Sequence, residues 1–167
     1  ITRIVALTAS DCENLYAVGA GELLVGRGEY CNYPPEALDA PSVQSGFETN
    51  LEQIIALEPQ VVLMSTMAQS EEQIAALEQA GIQVVVSKET DIAGVYAAID
   101  MIGALTGKSA EAKAVTDNMQ AAFAKLSAET ADADGKTVYF EVSPLQYGLW
   151  TAGAGTFMDE IAAMLHL

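Results

Sequence analysis

Few residues in this chain have the chemistry for catalysis, and their spacing works against it. His166 is the single histidine and stands alone, so no Ser–His–Asp pattern is present. Cys12 and Cys31 are the only cysteines. They lack CxxC spacing, and with one histidine they do not compose a zinc site. Such a pair is a disulfide in an oxidising compartment or two buried thiols in a reducing one. Glu71 and Glu72 are adjacent carboxylates, but they sit inside Ser70-Glu-Glu-Gln73, which is the capping box of a solvated helix start. Gly153-Ala-Gly155 precedes a helical stretch and suits an anion cradle or an ordinary turn equally well. No GxGxxG follows the first strand, and GxxxxGK[ST] does not occur. An α/β nucleotide- or cofactor-binding enzyme domain is thus a competing reading without a motif. A response-regulator-like module fits no better, since Asp11 is isolated after the first strand and Lys88 is the only late lysine near one.

Composition narrows the partners. The chain has 167 residues, with 23 acidic against 7 basic and a formal charge of −16. Such a surface repels nucleic acid and anionic membranes, which both select basic patches. Half the residues are hydrophobic, enough for a packed core. No apolar run is long enough to span a bilayer.

The elements that must position any site alternate between strand and helix. Arg3-Ile-Val-Ala-Leu-Thr8 reads as a buried strand, and Ser10 or Asp11 can cap the helix after it, which stops near Gly19 or Gly21. Leu23-Leu-Val25 is a second short strand. Tyr33-Pro-Pro35 forces an extended loop. Asn50 with Gln53 resembles a capping box ahead of Leu51, Ile54 and Ile55, and Pro59 ends that helix. Val61-Val-Leu-Met64 and Ile82-Gln-Val-Val-Val86 are strands, with the Ser70 helix between them. Strands separated by helices pair in parallel through right-handed crossovers. Residues 1–90 are therefore expected to form a doubly wound parallel-sheet α/β lobe. Residues 91–130 read as a long helical link broken at Gly107. Within 131–167 we expect a strand over 137–142 and a helix from Thr156, the first strand and helix of a second, incomplete α/β lobe. An unpaired strand edge there would invite self-association.

This order resembles the cobalamin, iron-siderophore and haem-binding group of ABC transporter solute-binding proteins, the class with a helical backbone between its lobes. The residues carrying the likeness are Arg3-Ile-Val-Ala-Leu-Thr-Ala-Ser10, Leu24-Val-Gly26 and Tyr30-Cys-Asn-Tyr-Pro-Pro35. The strongest stretch is Asn50-Leu-Glu-Gln-Ile-Ile-Ala-Leu-Glu-Pro59 with the strand that follows. The resemblance spans nearly all of the chain and ends about a hundred residues short of two ordinary lobes. It implies an extracytoplasmic protein, periplasmic or lipid-anchored. Its partners would be an ABC permease and a small-molecule metal complex, and it would have no catalytic activity and no cofactor of its own. It also implies that Glu52, an acidic residue early in a helix, docks onto the permease.

In open α/β sheets a ligand lies beyond the carboxyl ends of the strands. The loops there nominate Ser10, Arg27, Tyr30, Phe47 and Met67, and the second lobe nominates Tyr147 and Trp150. Loop aromatics offer flat apolar faces with polar tips to a large conjugated or catecholate ligand. Arg27 suits ligand carboxylates. Met67 suits haem iron as a thioether, or simple packing. Cys12 and Cys31 both follow strands, and we expect them to meet at the cleft rim as a disulfide.

Overall fold

The computed structural model describes residues 1–45, 48–65, 71–132 and 136–167. Strands β1 (Ile4–Ala6), β2 (Leu24–Gly28), β3 (Ser42–Val43), β4 (Val61–Ser65) and β5 (Gln83–Ser87) form one sheet in the order β3-β2-β1-β4-β5. Every pairing is parallel. The central strands are apolar on both faces, as a sheet covered on both sides requires: all of β1 is buried, and so are Val61, Val62, Leu63 and Met64. Glycine in β2 permits close packing. A Cβ at Gly26 would overlap Leu57, and one at Gly28 would overlap the Leu7 carbonyl.

Helix α1 (Ala9–Ala17) lies on one face, where Cys12, Leu15 and Val18 share a core with Ile99 and Ile102. Its cap is Thr8, not Ser10 or Asp11: the Thr8 hydroxyl accepts the Asp11 N–H at 3.2 Å, which places both expected caps inside the first turn. Helices α2 (Leu51–Ala56) and α3 (Glu71–Gln79) cover the other face, burying Ile54 and Leu77 against Val5, Val62 and Met64. Asn50 caps α2 by accepting the Gln53 N–H at 3.0 Å. The Gln53 side chain does not complete a box; its Oε1 accepts the Gln44 N–H at 3.0 Å. Ser70, the other expected cap, lies outside the described residues.

The helical link is a hairpin. Helix α4 (Ile92–Thr106) packs on α1, and its end turns at Gly107, where φ is 75°. Only a residue without Cβ adopts that left-handed cap freely. Helix α5 (Ser109–Glu129) doubles back along α4, about 31 Å at 1.5 Å per residue. Gly103 is the close approach: a Cβ there would strike the Ala112 side chain. The far end of α5 brings Phe123 and Ser127 beside Ile92 and Tyr96.

The expected strand over 137–142 does not form. Among the described residues these join no ladder; the Val142 N–H donates to the Trp150 carbonyl at 3.2 Å. A strand needs a partner, and the described residues supply none to this stretch. Val138, Tyr139 and Val142 are exposed. Helix α6 (Phe157–Met164) does form and docks on the hairpin. Glu160 Oε2 accepts the Ile92 N–H at 2.9 Å, and the His166 ring shares a 3.2 Å hydrogen bond with the Ser127 hydroxyl.

Candidate functional site

The strand order reverses at β1, whose neighbours β2 and β4 leave in opposite directions. Beyond the carboxyl ends of strands at such a reversal a crevice opens. The structure has a cleft of about 450 Å³ there. Its first wall is polar. Thr8 and Ser10 come from the end of β1 and the start of α1, Ser65 from the end of β4, and Ser87, Glu89 and Thr90 from the end of β5. The opposite wall is Gly155, Thr156 and Phe157 at the start of α6. The helical hairpin therefore returns the chain to the ligand end of the sheet, and the cleft lies between the segment ending at Thr90 and the one beginning at Gly155.

Glu89 organises the first wall. Its Oε2 accepts the Ser10 hydroxyl at 2.7 Å, and its Oε1 accepts the Asn14 side-chain amide at 3.4 Å. Beneath it Asp11 is fully buried. Asp11 Oδ2 accepts the Thr8 hydroxyl at 2.6 Å, while Oδ1 has no hydrogen-bond partner among the described residues. Burial pushes this carboxyl up to about 6, the Thr8 hydroxyl opposes the rise and the Glu89 charge adds to it.

The other nominated residues are distributed differently. Ser10 lines the cleft as expected. Arg27 does not: its guanidinium donates to the carbonyls of Ala40, Gly28 and Cys31 at 3.2, 3.4 and 3.3 Å. Tyr30, Tyr147 and Trp150 are exposed but do not line this cleft. The Trp150 indole N–H donates to the Tyr147 carbonyl at 2.9 Å, holding the two aromatics in one turn. Phe47 and Met67 lie outside the described residues. Glu52 is exposed in the first turn of α2. The cysteines meet, but not at the rim and not as a disulfide. Both are fully buried free thiols, and the Cys31 thiol donates to the Thr8 carbonyl at 3.0 Å. A hydrogen bond with Cys31, then burial, raises the Cys12 thiol above its usual range. The core beneath α1 closes over both sulfurs, so sequence position after a strand did not translate into exposure.

Glu89, Ser87 and Thr156 escaped the sequence reading. The strand-end rule nominates the first two once the end of β5 is included, since 87–90 directly follows it. Nothing local singles out Thr156 as more than a helix cap. Among the described residues no three His, Cys, Asp or Glu side chains are grouped to hold a metal ion, and no helix is long and apolar enough to cross a membrane.

A crevice at a strand-order reversal, with hydroxyls on one side and a helix start from beyond a long link on the other, is suited to holding a ligand between two sides. A model of the periplasmic binding protein family matches residues 4–166, and the chain belongs to that family. It is 34% identical over 170 residues to an uncharacterised ABC transporter substrate-binding lipoprotein of Bacillus subtilis, covering 98% of this chain and 54% of the relative. A vitamin B12-binding protein of Photorhabdus laumondii is 25% identical, with 97% and 58% covered. Among solved structures, a possible iron-binding periplasmic solute-binding protein from Staphylococcus epidermidis superposes with a TM-score of 0.80 at 26% identity, covering 99% of this chain and 65% of that one. The chain thus spans little more than half the length of the curated relatives it matches.

Proposed function

We propose that this chain is part of the extracytoplasmic solute-binding component of an ABC importer, free in the periplasm or lipid-anchored. It captures a chelated iron or cobalt complex (an iron–siderophore, haem or a cobalamin-like corrinoid) and hands it to the permease. The observation carrying this reading is the cleft at the β1 strand-order reversal, shared between the first lobe and the start of α6. The vitamin B12-binding and iron-binding relatives support the ligand class. Exposed Tyr147 and Trp150, held in one turn ahead of α6, offer flat apolar faces that suit a large ligand. The chain's share of the relatives implies that a ligand would also be held by residues of a fuller second lobe. Capture involves no bond chemistry, and the packed α4–α5 hairpin limits how far the two sides of the cleft can part. Exposed Glu52 is the docking carboxylate of this lobe.

The test is a titration of the intact protein with cyanocobalamin, haem and ferric siderophores, following Trp150 fluorescence and heat of binding. Saturable binding of one of them at micromolar concentration or below is expected. No response to any of the three classes overturns the proposal.

A further inference from the structure

On the first-lobe wall of the cleft, the hydroxyls of Thr8, Ser10 and Ser87 spend their protons within the protein, while Ser65 and Thr90 also line it. A serine or threonine hydroxyl has one proton to donate. That of Ser10 goes to Glu89, that of Thr8 to Asp11, that of Ser87 to the Met64 carbonyl at 3.3 Å and, across the cleft, that of Thr156 to the Gly153 carbonyl at 2.7 Å. The Asn14 amide is also turned onto Glu89. These groups leave a ligand only lone pairs and the Glu89 charge.

Several backbone donors at the helix starts around the cleft are also taken up within the protein. The Asp11 N–H is taken by Thr8, the Gly155 N–H by Asp159, the Asp159 N–H by Thr156 and the Ile92 N–H by Glu160. The starts of α1 and α6 carry acids of their own in the first turn, which offset the positive end of the helix dipole. No cation balances Glu89 among the described residues. Arg27 is held on backbone carbonyls, Arg3 bonds to the carbonyls of Leu57 and Glu58 at the opposite edge, and the ion pairs lie along α5. Lys88 precedes Glu89 but is exposed and does not line the cleft.

We propose that Glu89 is a specificity-determining residue, and that the ligand face it receives carries neutral or cationic hydrogen-bond donors, primary amides above all, in place of carboxylates. This rests on the reading of the cleft as the ligand site. A metal complex rimmed with amides offers donors to Glu89 and to the lone pairs of Thr8, Ser10 and Ser87. A complex that turns carboxylates toward it sets anion against anion in a partly buried place, where such pairing costs most.

Two corrinoids that differ only at the rim test this: dicyanocobyrinic acid, with free carboxylates, and its heptaamide. The intact protein is expected to bind the heptaamide at least about tenfold more tightly, the scale of one hydrogen bond to a charged group. Glu89→Gln, which keeps the shape and removes the charge, should narrow that ratio to about threefold or less, by the same reasoning. Equal affinities in the wild type, which needs no variant to fold, overturn the inference, as does a ratio that Glu89→Gln leaves unchanged. Binding of haem or a ferric siderophore with neither corrinoid overturns it while the importer reading stands. Binding of none of these overturns both.

Discussion

The Ser10 hydroxyl donates to Glu89 Oε2 at 2.7 Å, joining the start of α1 to the segment after β5 across 79 residues of sequence. This bond closes the first-lobe wall of the cleft and holds Glu89 in place. Ser10→Ala removes it and a cleft hydroxyl together. Ligand affinity is expected to fall roughly three- to tenfold, the range of a single charge-assisted hydrogen bond. Thermal stability should change little, because both groups keep access to water. Calorimetric titration beside a melting curve separates the two effects.

Asp11 makes stability depend on pH in a stated direction. Its folded value of about 6 lies above the ordinary 3.8, so between these values the folded state holds more protons than the unfolded one. Stability contributed through this group therefore falls as pH rises through that window, and the cost above pH 6 is on the order of 3 kcal/mol. Asp11→Asn removes the titration. Melting temperatures from pH 4 to 7 should decline less steeply for the variant than for the wild type, and parallel curves would contradict the assignment.

Gly103 interrupts a helix that would otherwise favour alanine by about 1 kcal/mol. The fold retains glycine because a Cβ there meets Ala112 at the crossing of α4 and α5. Gly103→Ala is expected to lower stability by about 1–3 kcal/mol, as overpacking does, despite its better helix propensity. Chemical denaturation reads the sign directly.

Glu52 is exposed on α2, away from the cleft wall. Glu52→Ala should leave ligand affinity unchanged and reduce uptake in cells carrying the cognate permease. Unchanged uptake removes Glu52 from docking.

Cys12 and Cys31 are buried free thiols in contact. A thiol reagent should leave both unmodified in the native protein and modify both after denaturation without reductant. Absence of reactive thiols in the denatured sample would show that the pair is oxidised.

The alternation of apolar strands with amphipathic helices was legible because it arises from local periodicity: period-independent apolar runs for buried strands, and 3.6-residue spacing for helices. Val61-Val-Leu-Met64, the Asn50 cap and the Gly107 break all appear in the structure near their expected places. The two-residue β3 was missed, since so short a strand has no pattern of its own. The strand expected over 137–142 had the β-branched and aromatic residues of a strand, but a ladder is a property of two segments. Among the ligand candidates, Ser10 lines the cleft, whereas the Arg27 guanidinium bonds to backbone carbonyls of a neighbouring segment, a contact that no local pattern records.

What the sequence alone determined is the α/β lobe, the helical link and membership of a binding-protein family, because each rests on short-range pattern or on likeness along the chain. Only the tertiary structure decided that Ser10 and Glu89 would meet, that Arg27 would turn inward onto carbonyls, and that Cys12 and Cys31 would lie together beneath α1. Those outcomes follow from the order of strands in the sheet and from which helix covers which face. Both are set by burial of apolar surface over the whole lobe, which no local stretch of residues records.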